Sequence, residues 1–103
     1  MSRFRVLLTA EAERNITAIF DWLAARSPGG SLRWYNALTL ALDALAEHPE
    51  RFPIAPESGR FDTTVRNLQF RMRSGRVYRI LYSIEGNDVH GLYVRAPGQD
   101  LAR

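Results

Sequence analysis

The feature that most constrains the fold is a change in the spacing of apolar side chains near the middle of the chain. Before residue 49 they recur at the three-to-four-residue interval of a helix. From residue 65 onward they recur at every second position, as in a strand with one buried face. Residues 51–59, which hold two prolines and a glycine, follow neither period. The sequence therefore predicts helices followed by strands, an α+β arrangement.

The first half of the chain predicts one strand and two helices. Residues 3–8 alternate arginine with apolar side chains, and Thr9 then stands where it can cap a helix over residues 10–26. A proline and two glycines interrupt the pattern, so we expect Ser31 to cap the second helix and Pro49 to end it. With a break of only a few residues, the two helices should form an antiparallel hairpin.

The second half predicts three strands in an antiparallel meander, with turns at residues 74–75 and 85–88. The first strand must join this sheet to bury its own apolar side, and both helices should pack on one face. His90 falls on the same phase as the core positions of its strand, and we expect a structural role for it. The side chains predicted to face the helices are Leu68, Phe70, Met72, Ile80, Tyr82, Ile84, Leu92 and Val94.

Length and composition narrow the classes of protein that fit. The 103 residues suffice for one domain, residues 1–103, and the absence of cysteine excludes disulfides and thiolate metal sites. No apolar run has the length of a signal peptide core or a membrane span, so we expect a cytoplasmic protein. Two histidines without clustered carboxylates predict no metal site, and we expect no cofactor. Trp22 and Trp34, at helical spacing, are predicted to pack rather than bind a ligand.

Arginine is concentrated on one predicted sheet face. The net charge is +3 and all fourteen basic residues are arginines, most of them in the second half. Arginine stems could simply cover a sheet face that is open to solvent, or the guanidinium groups could bind RNA, DNA or an acidic peptide, with a tyrosine stacking on a base. The polar residues predicted to share this face are Asn67, Gln69, Arg71, Arg73, Arg79, Tyr93 and Arg95.

Several segments of the chain resemble a known family. The first helix contains T-A-E-A-E-R-N-I, the second is followed by H-P-E-R-F-P, and the strands contain V-Y-R-I-L-Y-S-I and L-Y-V-R. Over nearly the whole chain this order resembles the RelE/ParE superfamily of type II toxin-antitoxin toxins, also called plasmid stabilisation proteins. The resemblance implies a growth-inhibiting toxin that is neutralised by an antitoxin encoded beside it. The antitoxin-binding residues it suggests are Ile19, Trp22, Leu38, Leu42, Arg71 and Arg79.

The resemblance also implies two possible activities, which are inhibition of DNA gyrase and ribosome-dependent cleavage of mRNA. In the RNA-cleaving branch, basic residues stabilise the charge that develops on the phosphate and a tyrosine near the C-terminus assists proton transfer. Arg79 matches the arginine of that branch and would be the catalytic residue if RNA is cleaved, with Arg71, Arg73 and Arg95 as electrostatic support.

Other positions depart from the RNA-cleaving pattern. Ala96 replaces a histidine, Pro97 follows it, Gln99 replaces an arginine, and the expected lysines and C-terminal tyrosine are absent. We therefore expect the ParE-like activity, gyrase inhibition. RNA cleavage, and a weakly active or non-toxic binding module, remain the alternatives.

Overall fold

The computed structural model describes residues 3–98 and confirms the predicted α+β order. Two 3-10 turns, Pro49–Arg51 and Pro56–Arg60, lie between the second helix and the second strand. The regular elements are β1 (Arg5–Leu8), α1 (Ala10–Arg26), α2 (Pro28–Glu47), β2 (Arg66–Arg71), β3 (Val77–Glu85) and β4 (Asp88–Arg95).

The strands form one four-stranded mixed sheet in the order β1-β4-β3-β2. The last three strands make the predicted antiparallel meander. The first strand joins it in parallel with β4, with Val6 opposite Val89. Because β1 and β2 lie at opposite edges of this sheet, the two helices that follow β1 cross one sheet face on the way to β2.

The main core lies between that face and the helices. It buries an aromatic pair, Trp34 and Tyr78, whose ring centroids are 5.6 Å apart. The Tyr82 hydroxyl donates to the carbonyl oxygen of Pro49 at 2.6 Å, and burial raises the pKa of this phenol to about 12. The fully or nearly buried members of this core are Ile19, Trp34, Leu38, Ala41, Leu45, Leu68, Tyr78, Ile80, Tyr82, Val89 and Val94.

The connection between the helices differs from the prediction. Ser27 alone separates α1 from α2, and its Oγ accepts a hydrogen bond from the Gly30 N–H at 3.1 Å, so Ser27 is the N-terminal cap of α2. Pro28 is the first residue of α2, where a missing N–H costs nothing because that position has no acceptor within the helix. The expectation that Ser31 caps α2 is wrong. Ser31 lies inside the helix, and its hydroxyl donates to the Pro28 carbonyl at 2.7 Å.

A β-bulge in β4 changes which side chains face the helices. Leu81 pairs with Tyr93 but Tyr82 pairs with Gly91, so Leu92 is an extra residue in β4. Leu92 consequently packs with Tyr93 on the far side of the sheet, and its predicted place under the helices is wrong.

The same change of phase applies to the residues before the bulge. Val89 lies in the main core, opposite Ile84, whereas His90 pairs with Ser83 and points to the other face. The predicted core-facing phase of His90 is therefore also wrong.

The sheet face opposite the helices is partly covered as well. The segment that connects α2 to β2 folds back over it and is held by hydrogen bonds from Ala55 N to Val65 O and from Asn67 N to Pro53 O. Under this segment lies a second, smaller cluster, so the arginine-bearing face is not an open sheet. The cluster consists of Ala55, Phe61, Val65, Leu81, Leu92 and Tyr93.

Helix α1 protects the free edge of β4 beyond its pairing with β1. Thr9 caps α1 with its side chain and also donates to the Leu92 carbonyl at 3.1 Å. Six residues further along, Asn15 Oδ1 accepts the backbone N–H of Val94 at 3.0 Å. These side chains supply partners for edge groups of the kind that otherwise pair with another chain.

Candidate functional site

The centre of the predicted anion-binding face is a buried ion pair. Arg79 Nη1 and Nη2 donate to the two carboxylate oxygens of Glu57 at 2.8 and 2.9 Å, and Arg79 Nε donates to Asn67 Oδ1 at 3.2 Å. The side chain of Arg79 is 15% exposed and that of Glu57 only 1%. The fork of Arg79 that would hold a phosphate bidentately is therefore occupied by a carboxylate of the same chain.

The position of Glu57 follows from the short turn Pro56–Arg60. The Ser58 N–H donates to the Ala55 carbonyl at 3.0 Å, and the Ser58 Oγ accepts the Val65 N–H at 2.9 Å, which fixes this turn against the start of β2. The hydrogen bonds from Arg79 hold the pKa of Glu57 below its ordinary value, although burial opposes this shift. Glu57 is thus a carboxylate at neutral pH.

The pH dependence of stability should report this pair. A carboxyl group with a lowered pKa in the folded state stabilises the fold above its unfolded pKa, and this contribution is lost as pH falls through the folded pKa. We expect stability to decrease below pH 4.5, the ordinary value for Glu57, with a flatter profile in Glu57→Gln. Urea unfolding between pH 7 and pH 2 measures this difference.

Measurements at high salt distinguish the contribution of Glu57 from those of other carboxyl groups with a lowered pKa. Arg14 lowers the pKa of Glu11 and Arg5 lowers that of Asp88, mainly through side-chain hydrogen bonds, but both carboxyl groups lie at the surface. High salt screens such surface pairs more than a buried one. Equal acid sensitivity of wild type and Glu57→Gln in high salt would contradict the assignment.

The other predicted members of the face have different partners. Arg95 lies with its guanidinium carbon 4.6 Å from the centre of the Tyr93 ring, and its Nη1 is 3.5 Å from Asn15 Oδ1. Tyr93 in turn contacts Phe61, with ring centroids 6.2 Å apart. The Arg95 and Tyr93 side chains therefore lie in a packed region between the second cluster and α1.

Arg71 and Arg73 lie at the β2–β3 turn and are exposed. Arg71 Nη1 donates to the Gly75 carbonyl at 3.2 Å, and Arg73 lines a cavity that reaches the start of α2. The structure thus distributes the five predicted residues over three environments rather than gathering them into one site. Ala96 and Pro97 line a separate cavity beside α1, and Gln99 lies outside the described residues.

The apolar residues predicted for antitoxin binding differ in accessibility. Ile19 and Leu38 are buried in the main core, and Leu42 packs partly buried against it. Trp22 is 48% exposed, with the guanidinium carbon of Arg26 3.7 Å from the centre of its ring. Of these four, Trp22 is the one that offers a large apolar surface.

Sequence reasoning missed the exposed apolar groove on the outside of the helix hairpin. Leu32 and Tyr35 of α2 are 61% and 49% exposed, and with Ile16 and Phe20 of α1 they line a groove of about 380 Å³. The signal was present, because Leu32 and Tyr35 are three residues apart on α2 and lie off the stripe that enters the core. We call this surface the hairpin groove.

The residues of the described part of the chain include no group suited to a metal. Within residues 3–98 no three histidine, aspartate or glutamate side chains come close enough to hold an ion. No helix in this range is long and apolar enough to cross a membrane.

The fold and the toxin-like segments agree with comparisons against known proteins. The sequence profile of the ParE toxin of the type II toxin-antitoxin system parDE matches residues 6–100. The chain therefore belongs to the ParE toxin family of type II toxin-antitoxin systems, a class of toxin whose partner is an antitoxin.

One solved structure illustrates the shared fold. A chain of the chromosomal ParDE TA system from P. aeruginosa superposes with a TM-score of 0.71, covering 90% of this chain and 95% of that one. Its sequence identity is 15%, so the likeness concerns the fold alone. No curated protein matches this chain in sequence.

Proposed function

We propose that residues 1–103 form one cytoplasmic toxin domain that inhibits DNA gyrase and is neutralised by a cognate antitoxin. Membership of the ParE family supports the toxin role. The observation that carries the choice of target is the pairing of Arg79 with Glu57. An RNA-cleaving toxin needs a free cation at this position to stabilise the transition state, and here the cation is already neutralised.

A supercoiling assay tests the proposed target. The full chain is purified with its antitoxin, separated, refolded and added to gyrase with relaxed plasmid. We expect inhibition of supercoiling with accumulation of cleaved DNA, and recovery when the antitoxin is added back. The paired variant Glu57→Leu with Arg79→Met should inhibit as well as wild type, because the proposed activity does not use the cation.

The competing activity is measured in the same series. Toeprinting on translating ribosomes reveals whether mRNA is cut and whether the cuts disappear in the paired variant. If supercoiling is unchanged at a large excess of folded toxin and the mRNA cuts depend on Arg79, the proposed activity becomes RNA cleavage instead of gyrase inhibition.

We propose the hairpin groove as the anchoring surface for the antitoxin. Its exposed apolar side chains suit an amphipathic segment that docks through a few anchors. Trp22 lies on the same helix hairpin, and Arg71 at the β2–β3 turn could pair with an acidic part of the segment. Because Ile19 and Leu38 are buried, their contribution would be to support the two helices from beneath.

A negative charge introduced into the groove should weaken antitoxin binding without unfolding the toxin. We expect Leu32→Glu to raise the Kd by about tenfold or more, as for removal of an anchor at an interface. Leu40→Glu is the matched control, because Leu40 is 70% exposed on the same helix and does not line the groove. Titration calorimetry with the antitoxin provides the measurement, and equal affinities of the two variants would exclude the groove as an anchor.

A further inference from the structure

Two cavities adjoin at the end of the molecule where the β2–β3 turn approaches the start of α2. The first, about 340 Å³, is lined by apolar and aromatic side chains that include Ile19, Trp22 and Tyr78. The second, about 740 Å³, is lined by arginines, by the first turn of α2 and by apolar side chains that include Leu23, Trp34 and Met72. Arg76 and Tyr78 line both, so the two cavities are neighbours. Both volumes fit a small-molecule ligand.

The first cavity has the character of a site for a planar ring. Half of the Trp22 surface is exposed, and Tyr78 and Pro97 complete apolar walls around it. The guanidinium carbon of Arg76 lies 5.8 Å from the Trp22 ring centre and 5.9 Å from that of Tyr78. Aromatic walls beside an arginine favour stacking of a nucleobase, which is sequence-tolerant because every base has a π-face.

The second cavity has uncompensated positive charge. Arg33, Arg73 and Arg76 line it without an acidic neighbour, and within residues 3–98 none of the three forms an ion pair. A Cβ built on Gly29 would lie 3.1 Å from Arg33 Nη1, so this guanidinium lies over the first turn of α2.

The start of α2 adds to this charge instead of balancing it. The N-terminus of a helix carries partial positive charge and ordinarily attracts acids. The first turn of α1 has Glu11 and Glu13, whereas that of α2 has no acidic residue. An arginine placed over the start of a helix that has no acidic residue is electrostatically unfavourable unless an anion binds there. Phosphate is an anion that helix N-termini bind.

We propose that the paired cavities bind a nucleoside phosphate, with the base against Trp22 and Tyr78 and the phosphate among Arg33, Arg73 and Arg76. The aromatic half stacks on the base and the arginine half binds the phosphate. A free nucleotide and a nucleotide within a single strand of nucleic acid present the same chemistry, so the test includes both.

Titration calorimetry and tryptophan fluorescence of the refolded full chain test the site with ATP, inorganic tripolyphosphate and a 5′-phosphorylated single-stranded DNA octamer. We expect ATP to bind about tenfold more tightly than tripolyphosphate, since base stacking contributes to its affinity. Trp22→Ala should remove this advantage and leave the affinity for tripolyphosphate unchanged. The double variant Arg33→Gln with Arg73→Gln should weaken both by about tenfold or more. Binding of the octamer without binding of ATP also supports the site, with nucleic acid as the source.

The matched control is Arg51→Gln, which also removes one positive charge but lies in the turn that follows the C-terminal end of α2. It should leave every affinity unchanged. A loss in Arg51→Gln as large as that in the double variant Arg33→Gln with Arg73→Gln would mean diffuse electrostatic attraction and would overturn the proposal. Absence of binding by all three probes, or equal affinity for ATP and tripolyphosphate with no effect of Trp22→Ala, would overturn it as well.

Discussion

Glu57→Ala is expected to lower the free energy of unfolding by about 3–5 kcal/mol, because it leaves the buried guanidinium of Arg79 without its counter-ion. The carboxylate is 1% exposed and receives two hydrogen bonds from Arg79, so water cannot readily replace it. For a domain whose whole stability is about 5–15 kcal/mol this loss is large. Urea unfolding followed by circular dichroism measures it.

The paired variant separates the charge effect from simple loss of packing. Glu57→Leu with Arg79→Met replaces both charges by apolar groups of similar size, and such replacements of buried ion pairs are often neutral. The Oδ1 of Asn67 loses the hydrogen bond from Arg79, so we expect the paired variant to be less stable than wild type by about 1 kcal/mol. A paired variant as unstable as Glu57→Ala would show that packing of this segment, and not an unpaired charge, determines the loss.

This expectation changes how an Arg79 variant is interpreted. Arg79→Ala leaves Glu57 as a buried unpaired carboxylate and should be destabilised by a similar amount. Loss of toxicity in Arg79→Ala alone would therefore report unfolding as readily as loss of catalysis. The paired variant, which removes the cation but keeps the fold, is the one that tests an RNA-cleaving role.

The elements of the fold were predictable because their signals are local. Helical and two-residue periods are properties of contiguous segments, and they placed both helices and the meander correctly. The predicted start of α2 is wrong because a proline and two glycines indicate a break, although proline is compatible with the first position of a helix. Leu92 was misplaced because a bulge depends on how β4 pairs with β3, which alternation within β4 does not reveal.

The sequence predicted which face of the sheet the arginines occupy, but not which groups they contact. Period two put Arg79 and Arg95 on the side away from the helices, where they lie. Their partners come from distant and non-periodic parts of the chain, since Glu57 lies in the connection after α2 and Asn15 lies on α1. Such long-range contacts determine whether an arginine is free to bind an anion or is paired within the fold. The sequence alone therefore left both interpretations open.

The two tryptophans share helical spacing in the sequence but differ in burial, and this difference can be measured as a difference in stability. Both lie at helical spacing, yet Trp34 is 1% exposed in the main core and Trp22 is 48% exposed beside Arg26. We expect Trp34→Ala to cost about 3–5 kcal/mol, the range for a large aromatic residue removed from a core. Trp22→Ala should cost about 1 kcal/mol or less, since it loses an exposed cation–π contact and little buried area.

Unfolding in urea, with far-ultraviolet circular dichroism as the signal, compares the two variants on the same footing. The expected difference follows from the contacts of Trp34, which packs against Tyr78 and closes the core between α2 and β3. A small cost for Trp22→Ala would also make this variant a sound probe of the first cavity, because any loss of ATP affinity could then be assigned to the missing indole. Similar costs for the two variants would mean that Trp22 is buried in solution, against both the packing described for α1 and the proposed nucleotide site.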